Sequence, residues 1–447
     1  MTERLVRLIS EIETASAPDD VREKVKLCLL DYLAATVAGV ASRLPSVEIM
    51  TDYIVAQEGR PEATLIADGR QVPAAGAVLV NSIAGEVLEL GDGENRIIGH
   101  PGQSIIPAVL AAAEMKGADG RSILTAILAG YEAMIFVGEA VIPEAYDLGF
   151  SASACLGNFG AAAGAARIFG LSPEQISHTL ALAASASGYL RSWNLTGTMD
   201  KDLMVGEATR RGMVAAQLAR AGYTGTSQIR EGDLGFCRAM SGQCKEVKRD
   251  KDQYRIRDVY FKPYPSCRAT HSTIDAVLSL VENNPLPPDQ VENIVIYTDT
   301  HGAQVSIAQP ESFVSVRFSH QFSAVATLLE GKASLHQYSE EYARRPEVKD
   351  LLSRTEVRID PEMEDSWPDK YSARVEINTR DGKSYSSQVD HPKGDRLNPL
   401  TRADVLAKAE ELLGLAYPQD RVKAVIEAVM TAEKIEQIDQ LMDLVGP

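Results

Sequence analysis

Apolar residues recur at helical spacing from the start of the chain. Between 16 and 39 (SAPDDVREKVKLCLLDYLAATVAG), Val21, Val25, Leu29, Tyr32, Leu33 and Thr36 share one face. Ser16 offers an N-cap, Pro18 an early proline, Asp19 and Asp20 first-turn acids, and Gly39 a stop, which together predict an amphipathic helix with both ends signalled. Helical text continues to about residue 225 and includes a strongly patterned helix at 203–221. Much of it is rich in Ala and Gly and poor in charge, as at 158–170 (NFGAAAGAARIFG) and 179–187 (TLALAASAS). Helices apolar all round are buried helices, and small residues let them approach one another closely.

The period changes after about residue 255. The β-branched run 291–298 (VENIVIYT), the alternation of Val357 and Ile359 with charged neighbours, and the alternation of Tyr371, Ala373, Val375 and Ile377 predict strands. Asp381-Gly382 before the run 383–389 predicts a hairpin on a half-buried antiparallel sheet. Helices are expected at 271–282 and 321–330, the latter ending before Gly331. Helical text resumes near 398, where Thr401 and Asp404 form a capping-box pattern, and continues through 405–413 and 421–442. The expected fold is mainly α: a large discontinuous all-helical domain, 1–264 and 398–447, interrupted by a smaller α+β domain at 265–397.

A chain of 447 residues with 45% hydrophobic residues is long enough for a large core. Its net charge of −17 gives no basic footprint for nucleic acid or an anionic membrane, so any bound anion must be captured by a local cationic pocket. The N-terminal text MTERLVRLISEIETA carries charges among its apolar positions, unlike a secretory signal, and a cytoplasmic protein is expected. Apolar stretches at 108–113 and 123–135 are interrupted by Glu114, Lys116, Asp119, Arg121 and Glu132, so they read as buried helices rather than membrane spans. Five scattered cysteines (Cys28, Cys155, Cys237, Cys244, Cys267) form no CxxC pair and are expected to be reduced. No GxGxxG, Walker, HExxH or GxSxG motif and no metal-ligand spacing is present, and neither metal nor organic cofactor is expected.

Four segments place ionisable residues inside apolar, Gly/Pro-marked text. In 89–102 (ELGDGENRIIGHPG), Asp92 and His100 are candidates to face a cleft. In 188–201 (GYLRSWNLTGTMDK), Arg191, Asn194 and Lys201 precede a helix, where cations and backbone amides suit a carboxylate. In 261–271 (FKPYPSCRATH), prolines brace a chain crossing that carries Lys262, Cys267, Arg268 and His271; the two cations are anion anchors, and Cys267 suits packing better than nucleophilic attack. In 315–322 (SVRFSHQF), Arg317 and His320 precede a helix. His178, His301, His336 and His391 stand in charged or loop contexts and are expected to be structural or solvent-facing.

The same segments, in order, resemble the MmgE/PrpD family, which includes 2-methylcitrate dehydratase, cis-aconitate decarboxylase and iminodisuccinate epimerase. The resemblance covers nearly the whole chain: 81–107 with its HPG, Gly130-Tyr131-Glu132, 157–171, Lys201 with 206–222, the run 262–267 (KPYPSC), 317–331 and 394–400 (GDRLNPL). It implies a homodimer with a site between domains, with the family's acidic residue, loop histidine, cleft lysine and crossing lysine at Asp92, His100, Lys201 and Lys262. This chain departs from the family in carrying Gly91-Asp92 for a paired Asp-Asp, Ser151 and Cys267 where the decarboxylases have histidines, and Phe322 for a tyrosine. The missing imidazoles weaken the case for cis-aconitate decarboxylation.

The leading expectation is a hydro-lyase acting on a small di- or tricarboxylic acid. Lys201, Lys262 and Arg268 would hold carboxylates while a basic group, with His100 the best candidate, removes a proton beside one of them. Arg191, Ser151, Cys267, His271 and His320 complete the expected substrate contacts. An epimerase returning the proton to the opposite face, using His100 with Lys201 or Tyr146, is the alternative, and a catalytically silent member is a third. Lys201→Met is expected to lower turnover while leaving stability little changed.

Overall fold

The computed structural model describes residues 2–226, 232–248 and 253–447. Its first unit is helical. Ala152–Phe169 is its central helix, packed against Pro101–Lys116, Gly120–Gly138 and Asp200–Arg220. The close approach has a residue-level cause: a Cβ on Gly157, Gly160 or Gly164 would lie 2.8, 2.7 or 2.6 Å from Ser104, Ile105 or Val109 of the Pro101–Lys116 helix. Gly120–Gly138 is long and apolar enough to span a bilayer, but 89% of its apolar window is packed inside the protein. Its one acid, Glu132, is fully buried and accepts the backbone N–H of Ile256 at 2.9 Å.

The second unit has a four-stranded sheet ordered Thr355–Ile359, Val291–Thr298, Ala373–Thr379, Ser384–Val389. Ala373–Thr379 alternates buried and half-buried residues along its length. Helices His271–Asn283 and His320–Glu330 pack on the sheet, and Ile274, Val277, Ile294, Ile296, Phe322 and Val375 belong to a core of its own. Ala269, Val305, Phe313, Phe318 and Tyr371 belong instead to the core of the helical unit, so the two units meet along an apolar seam. The chain then returns to the helical unit as Arg402–Leu413, where Lys408 reaches Asp31 at 2.6 Å and the Leu90 carbonyl at 2.5 Å.

The mainly α, two-unit fold is the one expected, and the Thr401–Asp404 capping box and the hairpin turn, with Gly382 at φ +82°, are present. Four local expectations are corrected. The first long helix is Asp19–Ala41 with no side-chain cap, and it runs through Gly39; it is buried on all faces from Leu27 to Gly39, not amphipathic there. The sheet is mixed, because Thr355–Ile359 pairs parallel to Val291–Thr298. The stretch expected as one helix at 421–442 is broken into Gln419–Met430, a short turn and Asp439–Val445. The helix expected from 203 begins at Asp200, which puts Lys201 in its first turn rather than ahead of it.

Candidate active site

The loop after the Ala74–Glu86 helix is fastened by side chains. Asp92 accepts the Gly102 N–H at 2.8 Å and the Tyr131 hydroxyl at 2.6 Å, and so caps the Pro101–Lys116 helix. The Asp92 carbonyl lies 2.8 Å from His100 Nδ1. A carbonyl only accepts, so the proton is on Nδ1 and the lone pair on Nε2. Burial, reinforced by Lys262, lowers the imidazole pKa to about 3 and keeps it neutral. Gly93 makes this fit possible: its backbone pairs with Tyr260, and a Cβ there would lie 2.3 Å from the Tyr260 hydroxyl and 2.9 Å from His100 Nδ1.

Beside His100 lies a buried network of opposite charges. Lys201 Nζ donates to Glu86 Oε1 at 2.5 Å, pairs closely with Glu89, and lies 3.6 Å from Asp202. Lys262 Nζ donates to Glu89 Oε2 at 2.6 Å, and Gln103 Nε2 to Glu86 Oε2 at 2.5 Å. Burial opposes ionisation of both glutamates, but they settle differently. Lys201 and Lys262 together hold Glu89 well below the usual carboxylate range. Glu86 is raised to about 7, since burial and the neighbouring Glu89 charge outweigh Lys201. Desolvation disfavours the Lys201 ammonium, yet Glu86 and Glu89 overcome it and raise its pKa. Glu86 is thus held ionised less firmly than Glu89.

A cavity of about 90 Å³ opens on this network, lined by Glu86, Glu89, His100, Tyr146, Ser151, Arg191, Asn194, Lys201 and Cys267 together with apolar side chains of both units. Through His100, Tyr146 and Cys267 it adjoins a second cavity of about 60 Å³, lined also by Tyr260, Arg268, His301, Trp367 and Tyr371. A larger hollow of about 560 Å³ lies elsewhere, around Arg22, Arg121 and Arg167, and shares no residue with these two. Buried charges act more strongly than solvated ones, and the buried Glu86, Glu89 and Lys201 line the first of the former pair, so the chemistry is placed there.

Of the residues singled out from sequence, His100, Tyr146, Ser151, Arg191, Asn194, Lys201 and Cys267 meet in the first cavity and Arg268 lines the second. Asp92 and Lys262 stand behind the wall, one holding His100 and the other pairing with Glu89. His271 and His320 do not reach either cavity. His271 Nε2 lies 3.2 Å from the Ser266 carbonyl, and His320 is held between Thr273 Oγ1 at 2.8 Å and the Gly302 carbonyl at 3.2 Å. Burial first of all depresses both imidazoles, His320 to about 4. Lys201, Lys262 and Arg268, expected to hold substrate carboxylates, are not free cations. Each already has an acid: Glu86, Glu89 and, for Arg268, Asp395 at 2.8 Å.

Glu86 and Glu89 were missed from sequence, although two acids three residues apart in a nearly uncharged helical run are a signal that buried cations must meet them. His301 was set aside as a loop residue. It stacks on Trp367 at 3.5 Å and pairs with Asp147 at 3.0 Å beside the second cavity. Among the described residues no group of three or more His, Cys, Asp or Glu is placed to hold a metal ion.

The profile of the MmgE/PrpD N-terminal domain matches residues 3–247, and that of the C-terminal domain residues 264–433. The chain is 26% identical over 468 residues to the human cis-aconitate decarboxylase, covering all of this chain and 95% of that protein. It is 25% identical over 475 residues to the Aspergillus terreus cis-aconitate decarboxylase, with 100% and 96% covered. Over 244 residues it is 26% identical to the Aspergillus oryzae 2-methylcitrate dehydratase-like protein oryR, with 51% of this chain and 49% of that protein covered. Two domain profiles that together span most of the sequence, on a helical unit interrupted by an α+β unit, make this chain a member of the MmgE/PrpD family.

Proposed function

We propose that this chain is a lyase that removes a proton beside a carboxylate of a small di- or tricarboxylic acid and expels a hydroxyl, a hydro-lyase reaction needing neither metal nor organic cofactor. The observation that carries the reading is geometric: an imidazole whose Nδ1 is held by the Asp92 carbonyl lines the same cavity as the Glu86, Glu89 and Lys201 network. His100 is neutral, with its Nε2 lone pair unprotonated, and suits the base. Glu86, raised to about 7 and hydrogen-bonded to the Lys201 ammonium, suits the acid that protonates the departing hydroxyl. Lys201, itself buried, also offsets the charge that builds on the enolised carboxylate. The names of the relatives, cis-aconitate decarboxylase and 2-methylcitrate dehydratase-like, agree with a carboxylic acid substrate.

Epimerisation is the second reading, and one observation favours it. Tyr146, raised to about 12 by burial and so protonated, lines both cavities along with His100, which places a second proton donor in the same space. The test is proton NMR in deuterated water against citrate, methylcitrate, cis-aconitate and malate. The expected result is deuterium incorporation beside a carboxylate together with an unsaturated product, both lost in His100→Gln. Exchange and stereochemical inversion without elimination would replace the lyase by the epimerase. No exchange with any of these acids would overturn both.

A further inference from the structure

The cations that line the two cavities are not equivalent. Lys201 is paired with Glu86 and Arg268 with Asp395. Arg191 has only neutral partners among the described residues: Nε donates to the Tyr146 carbonyl at 3.1 Å, Nη2 to Gln304 Oε1 at 2.9 Å, and the guanidinium lies 4.0 Å over the Tyr146 ring. No described residue hydrogen-bonds its Nη1. Two residues further on, the Trp193 indole Nε1 is buried without a hydrogen-bond partner, and so is the amide Oδ1 of Asn194, a residue only 6% exposed. All three side chains line the first cavity.

These groups belong to one stiff segment. The Ser192–Leu195 turn is closed by Gly197 N–H to the Trp193 carbonyl at 2.7 Å, and Arg191 N–H is bound by the Gly149 carbonyl at 3.0 Å. From the α+β unit, Phe318 meets the Trp193 ring edge-on at 4.8 Å, and the Gln304 carbonyl accepts Asn194 Nδ2 at 3.3 Å. A guanidinium with no acid partner among the described residues, an indole donor and a lone acceptor therefore share one cavity with Glu86, Glu89 and Lys201. Buried donors and acceptors left unpaired cost stability unless a ligand completes them.

We propose that Arg191, Trp193 and Asn194 form a second carboxylate subsite, in which the guanidinium and indole N–H grip the substrate carboxylate remote from the reacting C–H while Asn194 Oδ1 accepts a hydroxyl beside it. The substrate class is then a hydroxylated acid with at least two carboxylates, oriented with one end at Arg191 and the other at His100 and Lys201. A planar guanidinium held over a ring is pre-organised for such two-point binding, and a charged partner replaces Gln304 at little cost. The inference rests on the carboxylic acid reading above, but it concerns binding and is measured apart from turnover.

Titration calorimetry with malate, succinate and butyrate as probes tests it. Wild-type protein is expected to bind malate more tightly than succinate, and succinate more tightly than butyrate. Arg191→Gln should weaken both diacids by roughly 10- to 100-fold, the scale of one charge-assisted hydrogen bond, and leave butyrate unchanged. Arg191→Lys should recover only part of that loss, and Asn194→Leu should abolish the preference for malate over succinate. Thermal melts establish that each variant is folded. If wild-type protein does not distinguish succinate from butyrate, or Arg191→Gln binds succinate as tightly as wild type, the subsite is overturned. If the hierarchy holds while no acid is turned over, the subsite stands and the proposed reaction fails.

Discussion

Lys201→Met tests the buried charge network most directly. The lysine side chain is 6% exposed, and its ammonium faces Glu86 at 2.5 Å, Glu89 more closely still, and Asp202 at 3.6 Å. Sequence alone suggested a helix-start cation whose loss would leave stability unchanged; the geometry requires the opposite. Removing one partner of a buried, hydrogen-bonded ion pair leaves uncompensated charge, at about 3–5 kcal/mol. Without Lys201, burial lifts the freed carboxyls above their unfolded values, so the native state of the variant holds more protons than the unfolded chain. Its stability therefore falls as pH rises: the deficit is fullest at pH 8 and shrinks toward pH 5 as the carboxyls take up protons. Urea unfolding at a series of pH values reads both the size and the slope. Adding Glu86→Gln removes one stranded charge and should restore about 0.5–3 kcal/mol at pH 8. Turnover should fall by roughly 10²-fold or more. Wild-type stability at pH 8, or a deficit that does not change with pH, would refute the argument.

Glu86→Gln keeps the shape and one acceptor oxygen, enough for Lys201 but not also for the Gln103 amide N–H, and it holds no exchangeable proton, so the limb of the pH–kcat profile set by a group near 7 should disappear and kcat drop by roughly 10²-fold; a profile unchanged in shape would remove Glu86 from the chemistry. Gly93→Ala forces a methyl into the Tyr260 hydroxyl and His100 Nδ1, and should cost about 1–3 kcal/mol by thermal unfolding and lower kcat more than it raises KM. Exhaustive dialysis against a chelator should leave activity intact, and loss that one metal ion restores would contradict the cofactor-free proposal. Light scattering at micromolar concentration should give twice the 48.3 kDa chain mass, whereas a monomer would contradict the homodimer that the family resemblance implies.

What could be read from sequence was what the chain decides locally. The Thr401–Asp404 capping box needs only residues three apart, and the hairpin needs only Asp381-Gly382 between two alternating runs. The parallel pairing of Thr355–Ile359 with Val291–Thr298 was not legible, because it is set by where a crossover of more than fifty residues returns the chain. The same limit divided the candidate site. His100 was found because it stands in a polar loop between apolar helices at the position of the family's loop histidine, while His271 and His320 looked equally eligible until their rings were seen bound within the α+β unit. Sequence could name the cations but not their counterions: Lys201 meets Glu86 across 115 residues, Lys262 meets Glu89 across 173, and Arg268 meets Asp395 across 127. That pairing changes what the cations can do. A lysine already satisfied by a buried glutamate tunes proton affinity better than it captures an anion, so in a protein of net charge −17 the proposed anion capture rests on the lining cation that has no acid partner among the described residues, Arg191.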